Sequence, residues 1–492
     1  MPYLLVVMLL TSVMELAVTG WKPNYRRMAA KLLGLIELVV IVGLLAGYGY
    51  LMWVDALGFV SLYRLVNLYR LGYGASNEQY LRHVTRQTSW HLLVFQALVS
   101  LVGLAFTVFN RAGLSQWLAL AAAQLILALL LLISTLRHMS VSNRLVANEP
   151  LTDAEAPTLS VAIPARNETD NLYDCLVSLL ASDYPKLEIL VLDDNSTIKR
   201  TPEIIRSFAH DGVEFVAGKE LPKSGWLAKN WAYEQLLEVA NGDLILFCGA
   251  DTRFQKDSLK NLVSILMKRQ KSMLSIVPRN QINSGAEAGV LQPMRYAWEI
   301  SLPRRWFKRP PVLSTCWLAK KEFLRASGGF KAVSRRVVCE SYFAREAIKH
   351  DGYSFFRFDS ISSLKPADEQ LETAIRLRYP QLKRQPEFVA LLSVIELFAI
   401  LGSLASVLWG LSNANYPVAG LGFVSVVVTA VMFAQIYDIT YRTKSWLAYC
   451  LWPVGFLTDI YIMHISMWRY EFGSVLWKGR SVTPSVMYSD KA

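Results

Sequence analysis

The chain has 492 residues, 53% of them hydrophobic, and a formal net charge of +12. Its length and the clustering of its apolar residues near both ends exclude a single small soluble domain. No nucleic-acid-binding motif accompanies the positive charge, so no nucleic-acid partner is expected. The basic and aromatic run 304–309 lies among apolar segments and favours a surface that faces anionic lipid.

The N-terminal part predicts a membrane region of three or four helices plus an interfacial helix over residues 1–138. Its apolar runs of near-spanning or spanning length are residues 4–20, 32–54, 91–109 and 114–136. The first run contains Glu15, which leaves its crossing open. Between the second and third runs, Arg64 and Arg70 interrupt the apolar and aromatic pattern of Asp55–Arg70, which favours a helix lying at the interface.

The C-terminal part predicts a second transmembrane region over residues 387–470, followed by a cytoplasm-side or interfacial tail, 471–492. Its spanning runs are residues 388–411, 417–437 and 446–468. Both regions together predict a multi-pass protein of the cell membrane.

Basic residues at both borders of the middle section predict its orientation. Arg137 and Arg144 precede it, and Lys383 and Arg384 follow it, so the positive-inside rule places it in the cytoplasm. The five cysteines occur without a C-x-x-C pair, which fits a reducing compartment and argues against a structural zinc site. The basic loop 22–31 conflicts with four N-terminal crossings, and the sequence leaves the number of crossings open.

The middle section alternates strand and helix patterns, and acidic residues follow two of its strands. Asp193 and Asp194 end the run 187–192, and Asp251 follows the run 243–247. In open α/β sheets, ligands bind at the carboxyl ends of the strands, so these acids converge on one place. Carboxylates crowded together favour a divalent cation. Neither a G-x-G-x-x-G fingerprint nor a P-loop accompanies these strands.

Six short motifs of this section resemble the inverting family 2 glycosyltransferases of GT-A fold, particularly the membrane-bound branch associated with lipids, carotenoids and hopanoids. The motifs are IPARNE (163–168), DDNS (193–196), GWLAKNWA (225–232), GADT (249–252), ASGGF (326–330) and CESYFAREAIKHDGY (339–353). The tail segment 476–480, LWKGR, resembles an ending common in that branch. The resemblance implies a cytoplasmic GT-A domain over residues 157–380: an α/β fold with a nucleotide-sugar-binding, mostly parallel sheet, embedded between transmembrane helices.

The resemblance also implies which residues bind the donor, a nucleotide sugar linked to UDP or GDP. The implied donor-binding residues are Ala165, Arg166, Glu168, Asp193, Asp194, Lys229, Ala250, Arg376 and Arg378. For some of them an ordinary structural explanation stays open. The Asp-Asp-Asn-Ser run would also favour a β-turn, and the segment containing Arg376 and Arg378 would also suit a basic interfacial helix.

Asp251 matches the last acid of the family's D-x-D motif, which implies that it binds Mg²⁺ or Mn²⁺. Gly249 stands where the family carries the first acid. The resemblance implies that this replacement affects donor affinity and the choice of sugar more than it affects metal binding. Gly249→Asp is therefore a substitution to test.

Glu340 is the implied catalytic base, because inverting transfer needs a carboxylate that takes the proton of the acceptor hydroxyl. Phe343 and Ala344 align with the end of the family pattern and place Glu340 at the base and Cys339 at the preceding acid. A register shifted by one residue would instead place Ser341 at the base.

The sequence thus predicts a hexosyltransferase-type enzyme that transfers a single sugar to a lipid-type acceptor, with inversion and with a divalent metal. A processive polysaccharide synthase is the alternative within the same class, although the Q-x-x-R-W motif of such enzymes is absent near residues 373–379. A catalytically inactive GT-A scaffold or sensor is the alternative outside it, favoured by the two replaced acids at 249 and 339.

Overall fold

The computed structural model describes most of the chain. The described residues are 2–47, 52–74, 78–111, 115–143, 151–223, 225–280, 288–301, 310–364, 367–443 and 445–483. The basic and aromatic run 304–309 lies outside them. They form an N-terminal group of helices, a middle α/β domain, a C-terminal group of helices and a short terminal hairpin.

The N-terminal helices correspond to the predicted apolar runs. They are α1 (Pro2–Val18), α2 (Pro23–Gly47), α3 (Met52–Tyr73), α4 (Glu78–Arg111) and α5 (Gln116–Asn143). α1 to α4 pack against one another, and α5 packs against the C-terminal helices. The first run forms a helix whose apolar part, Val6–Val18, is shorter than a full span.

The arginines of α3, on which the prediction of an interfacial helix depends, are buried inside the helical assembly. Nε of Arg64 lies 2.9 Å from Glu15 and its Nη1 lies 2.8 Å from Glu37, and all three side chains are at most 1% exposed. Arg70 pairs with Glu471 and is equally buried. These cations are held by carboxylates of neighbouring helices rather than by water or lipid headgroups, because burial of an unpaired charge would be costly.

The strands of the middle domain form one mixed sheet in the order β3-β2-β1-β4-β7-β6-β8-β5. They are β1 (Leu159–Ala165), β2 (Leu187–Asp193), β3 (Val213–Ala217), β4 (Leu244–Cys248), β5 (Thr252–Phe254), β6 (Met273–Asn280), β7 (Cys316–Lys320) and β8 (Tyr353–Ser363). β3, β2, β1 and β4 are parallel, β6 and β8 are parallel, and β7 and β5 run antiparallel to their neighbours. This is the predicted mostly parallel α/β architecture.

Helices cover both faces of this sheet. They are α6 (Asp170–Leu180), α7 (Arg200–Ser207), α8 (Ala228–Val239), α9 (Ser258–Lys268), α10 (Ala288–Ser301), α11 (Lys321–Ala326) and α12 (Glu340–Ile348). The next helix, α13 (Ala367–Gln381), packs against α10 and the C-terminal helices. One apolar core lies beneath α6, α7 and α9, and the other beneath α8 and α12. Because β1, β2 and β4 are parallel between two apolar layers, their carboxyl ends meet at one edge.

The C-terminal helices follow directly on α13. They are α14 (Pro386–Val394), a π-helical segment (Ile395–Leu401), α15 (Gly402–Ser412), α16 (Tyr416–Tyr441) and α17 (Ala448–Phe472). Helix α10 packs against α16 and α17, so the middle domain rests on the apolar helices. The hairpin of β9 (Val475–Trp477) and β10 (Arg480–Thr483) follows α17.

Five helices of the described part are long and apolar enough to cross a membrane. They are Leu81–Ala105, Gln116–Arg137, Pro386–Ser412, Tyr416–Tyr441 and Ala448–Phe472. All five correspond to predicted spanning runs. The second predicted run, residues 32–54, begins within α2 and extends into residues outside the described ranges.

Candidate active site

A cavity of ≈ 410 Å³ lies at the carboxyl edge of the parallel strands. Among the predicted residues, its walls contain Glu168, Lys229, Ala250, Asp251 and Arg376. The local folding explains why they meet. β1 and β4 end beside each other, and the first turn of α8 and one side of α13 contribute residues to the same wall. Five of the residues predicted from the sequence therefore lie in this wall, and their roles stay predictions.

The loops after β1 and β2 are tied to each other, and this sets the positions of their polar residues. Asp194 N donates to the carbonyl of Ala165 at 2.8 Å. Arg166 Nη1 donates to the carbonyls of Asp194 and Asn195 at 2.6 and 2.8 Å. Ala165 and Arg166 therefore shape the loops, and neither side chain lies in the cavity wall.

The two acids of the DDNS motif have different surroundings. Oδ1 of Asp193 accepts from Ser196 N at 3.1 Å, which is the turn explanation that the sequence left open. Asp194 is buried, and both of its carboxylate oxygens lie 2.7 Å from Nη1 of Arg480 in the C-terminal hairpin. Burial raises the pKa of Asp194, and the guanidinium of Arg480 opposes this shift.

Lys229 lies in the first turn of α8 and forms an ion pair with Glu340, the first residue of α12. The contact depends on Asn230, whose Nδ2 donates to the carbonyls of Val333 and Arg336 at 2.8 and 2.9 Å and fixes the loop that leads to α12. Burial disfavours the charged form of Lys229, but the Glu340 carboxylate outweighs it and raises the lysine pKa.

The side chain of Glu340 is 0% exposed, whereas that of Lys229 is 24% exposed and lies in the cavity wall. Lys229 thus stands between the predicted base and the cavity. Burial raises the pKa of the neighbouring Cys339 thiol, so this cysteine is a protonated core residue rather than a nucleophile.

Asp251 follows β4 and points into the cavity. Its Oδ2 accepts from Ser363 Oγ at 3.1 Å, and a Cβ added at Gly249 would collide with its Oδ1. An aspartate at position 249 would therefore displace the Asp251 carboxylate from its present position. Within the described residues, no three His, Cys, Asp or Glu side chains are grouped closely enough to bind a metal by themselves.

The two arginines of α13 lie on different sides of that helix. Arg376 lies in the cavity wall with its guanidinium 5.6 Å from the ring centre of Trp477, and burial lowers its pKa to about 10. Arg378 is buried against Asp459 of α17, outside the cavity wall. Arg378 therefore joins α13 to α17, and its predicted part in donor binding stays a prediction.

The sequence reasoning missed the hairpin residues of the cavity wall. Trp477, Lys478 and Arg480 all belong to the LWKGR segment and its continuation, which had been noted as a resemblance without a role. Arg295 of α10 also lies in the wall and was not predicted there. The only available signal was the resemblance of the hairpin sequence itself.

Comparisons with known proteins agree with the motifs. Residues 160–335 match the family "Glycosyl transferase family 2". A probable glycosyltransferase, YdaM, from Bacillus subtilis (strain 168) is 28% identical over 186 residues, which are 36% of this chain and 43% of that protein. The 4,4'-diaponeurosporenoate glycosyltransferase of Staphylococcus aureus (strain bovine RF122 / ET3-1) is 24% identical over 346 residues, 67% of this chain and 89% of that protein.

Among solved structures, the mannosyltransferase PcManGT from Pyrobaculum calidifontis, in complex with GDP-Man and Mn²⁺, is 17% identical with a TM-score of 0.42. The match covers 72% of this chain and all of that one. The chain spans less than half the length of YdaM. The family match and the curated relatives show that this chain carries a family 2 glycosyltransferase domain, as the motifs predicted.

Proposed function

Since residues 160–335 are a family 2 glycosyltransferase domain, we propose that this protein transfers a single sugar from a nucleotide sugar to the hydroxyl of a lipid-type acceptor, with inversion. The observation that carries the proposal is the cavity at the strand ends, where acids and cations face the same space beside apolar helices. The domain limits and the roles of individual residues given below are part of this proposal.

The donor is a UDP- or GDP-linked sugar. Its nucleoside offers hydroxyl and N–H donors, which suit the carboxylates of Glu168 and Asp194, and its diphosphate suits the cations Lys229 and Arg376. Arg376 is favourable for a phosphate because its guanidinium is planar and part of the cavity wall.

Asp251 is the residue that would hold a Mg²⁺ or Mn²⁺ ion. Its carboxylate borders the cavity and Ser363 orients one of its oxygens. One protein carboxylate is enough where phosphate oxygens and waters complete the coordination, as is usual for Mg²⁺. When bound, such an ion supplies stabilisation of the negative charge that develops on the leaving diphosphate.

Glu340 is the proposed base. The acceptor oxygen bonds to the anomeric carbon from the face opposite the diphosphate, the carbon–oxygen bond to the diphosphate breaks, and the acceptor proton passes to Glu340. This step requires Lys229 to leave Oε1 of Glu340. In our proposal the lysine moves towards the donor diphosphate, so that the base becomes accessible when the donor is bound.

The acceptor reaches the cavity from the side of α10 and α13, which pack on the apolar helix α17. A lipid partitioned into the membrane would present its hydroxyl there. One relative is named for a 4,4'-diaponeurosporenoate acceptor, which is consistent with this class. We further propose a multi-pass cell-membrane protein with the catalytic domain on the cytoplasmic side, where nucleotide sugars are available.

The test is a screen of UDP- and GDP-sugars with the purified protein and membrane lipid extract, measured as nucleotide release and by mass spectrometry of the lipid product. We expect one donor to support release that requires lipid, stops with EDTA and is lost in Asp251→Asn. A product of one added sugar agrees with the proposal, whereas a polymer would favour a processive synthase. Metal-independent release in the Asp251→Asn variant would contradict the metal site.

An inactive scaffold is the second candidate, and the covering of Glu340 by Lys229 is the observation that favours it. Titration with UDP and GDP, each with and without Mn²⁺, separates the two. An enzyme binds one of these nucleotides more tightly with the metal, whereas an inactive domain without a donor site binds neither.

A further inference from the structure

The C-terminal hairpin lies in the candidate active site although it follows the last helix of the chain's membrane-associated part. β9 and β10 are antiparallel, with Trp477 opposite Arg480, so that Lys478 and Gly479 form a two-residue turn. Both turn residues have positive φ, 47° and 79°, as a type I′ hairpin turn requires. Lysine adopts this conformation at some cost, which contacts of its side chain must offset.

The turn lysine has such contacts on the loop after β1. Its Nζ donates to the carbonyl of Arg166 at 2.6 Å and forms an ion pair with Glu168. In return, Nε of Arg166 donates to the carbonyl of Lys478 at 3.2 Å. The tip of the hairpin is thereby attached to the end of β1, 312 residues earlier in the chain.

The second cation of the hairpin sits on the loop after β2. Arg480 makes two contacts of 2.7 Å with the carboxylate of Asp194, and its Nη2 lies 3.4 Å from the Asp194 carbonyl. Both Lys478 and Arg480 are about four-fifths buried, yet both lie in the cavity wall. Two cations therefore face the cavity from a segment outside the α/β domain.

The base of the hairpin is firmly held, so this placement is built into the fold. Glu471, near the end of α17, pairs with Arg70 of α3 and accepts from the hydroxyl of Tyr379 at 2.7 Å. The Tyr470 hydroxyl donates to the carbonyl of Arg376 at 2.8 Å. These contacts join the hairpin base to α3 and α13.

The charges of the cavity indicate what the hairpin cations do. The carboxylates of Glu168 and Asp251 lie in the cavity wall, and they would repel a diphosphate unless cations of the same wall offset them. On the basis of the proposed function, we propose that the hairpin is part of the donor site, where Lys478 and Arg480 exchange Glu168 and Asp194 for the phosphates of a nucleoside diphosphate. The released carboxylates then accept hydrogen bonds from the nucleoside.

The test compares nucleoside diphosphates with nucleosides, using UDP, GDP, uridine and guanosine with the full-length protein in detergent. For the diphosphate that the wild type binds, we expect Lys478→Gln and Arg480→Gln each to weaken binding roughly tenfold, the loss of one charge-assisted interaction. Affinity for the matching nucleoside should not fall, because each variant leaves a carboxylate of the site able to accept from the nucleoside. Arg206→Gln is the control, since Arg206 lies on Phe215 outside the cavity wall, and should leave both affinities unchanged.

Three outcomes overturn the inference. Equal losses of affinity for the diphosphate and the nucleoside would mean that the hairpin only shapes the site. Unchanged affinities would mean that the hairpin does not contact the donor. Tighter diphosphate binding by the variants would mean that the hairpin blocks the site. Hydrogen exchange of the wild type adds a measurement that needs no variant: the diphosphate, but not the nucleoside, should protect residues 475–483. A wild type that binds neither diphosphate would refute the proposed function itself, whereas the other outcomes leave that function standing.

Discussion

Replacement of Glu340 by glutamine tests the proposed base most directly. Glutamine has nearly the same volume and keeps an oxygen that can accept from Lys229, so the buried site keeps its packing while losing the basic carboxylate. A positioned general base contributes about 10²- to 10⁴-fold to a rate, which corresponds to about 2.7–5.4 kcal/mol of activation free energy. We therefore expect kcat to fall by that factor while donor affinity does not fall, because Lys229 no longer has to leave a carboxylate to reach the diphosphate.

The same substitution leaves Lys229 without its counterion, so stability must be measured alongside. Breaking a fully buried ion pair costs about 3–5 kcal/mol. Lys229 keeps 24% of its side-chain exposure, so we expect a smaller loss of unfolding free energy and a folded protein at the assay temperature. Thermal unfolding in detergent checks this.

Glu346→Gln is the matched control, because Glu346 lies on the same helix and forms an exposed pair with Lys349. It should keep the wild-type kcat. Glu372 is the rival carboxylate, since it lies in the cavity wall and pairs at the surface with Arg469. A folded Glu340→Gln variant with wild-type turnover, together with a collapse of turnover in Glu372→Gln, would refute the assignment of the base.

Two further predictions concern a glycine of the site and the helical region. Gly249→Ala should weaken Mn²⁺-dependent nucleotide binding roughly tenfold, because its Cβ would push the Asp251 carboxylate aside. Metal-free binding and thermal stability should stay unchanged, because Gly249 has no positive φ that an alanine would strain. Unaltered metal dependence of nucleotide binding would contradict this prediction. Arg64→Met should lower the free energy of unfolding by about 3–5 kcal/mol, because Glu15 and Glu37 lose their buried partner. Arg82 is exposed, so Arg82→Met should lower it by less than about 0.5 kcal/mol in the same denaturation assay.

The strands and the spanning helices could be predicted because their signals are local. Runs of apolar residues ending at acids predicted β2 and β4, and hydropathy predicted α5 and α16. The partners of Arg64 and Arg70 were not predicted for the same reason. Local hydropathy registers a charge but carries no information about its partner, and here the partners lie on other helices, at Glu15, Glu37 and Glu471.

The central contacts of the site are long-range, and this is why the sequence did not predict them. Lys229 and Glu340 are 111 residues apart, and Lys478 and Arg166 are 312 residues apart. The motifs identified both partners of the first pair but assigned them to different substrates, the lysine to the diphosphate and the glutamate to the acceptor. Their pairing depends on how Asn230 holds the loop before α12, which no local pattern contains.

Glu168, Asp194 and Glu340 each pair with a cation of the protein, and these cations are Lys478, Arg480 and Lys229. In the proposed donor site, a diphosphate that contacts Lys229, Lys478 or Arg480 therefore replaces an existing ion pair. The free energy of donor binding is then the difference between two sets of charge interactions, so the affinity will be lower than a count of cations suggests. In the proposed function, the carboxylates then become available to the nucleoside and the acceptor when a diphosphate is present, and recognition of the sugar donor is coupled to exposure of the proposed base.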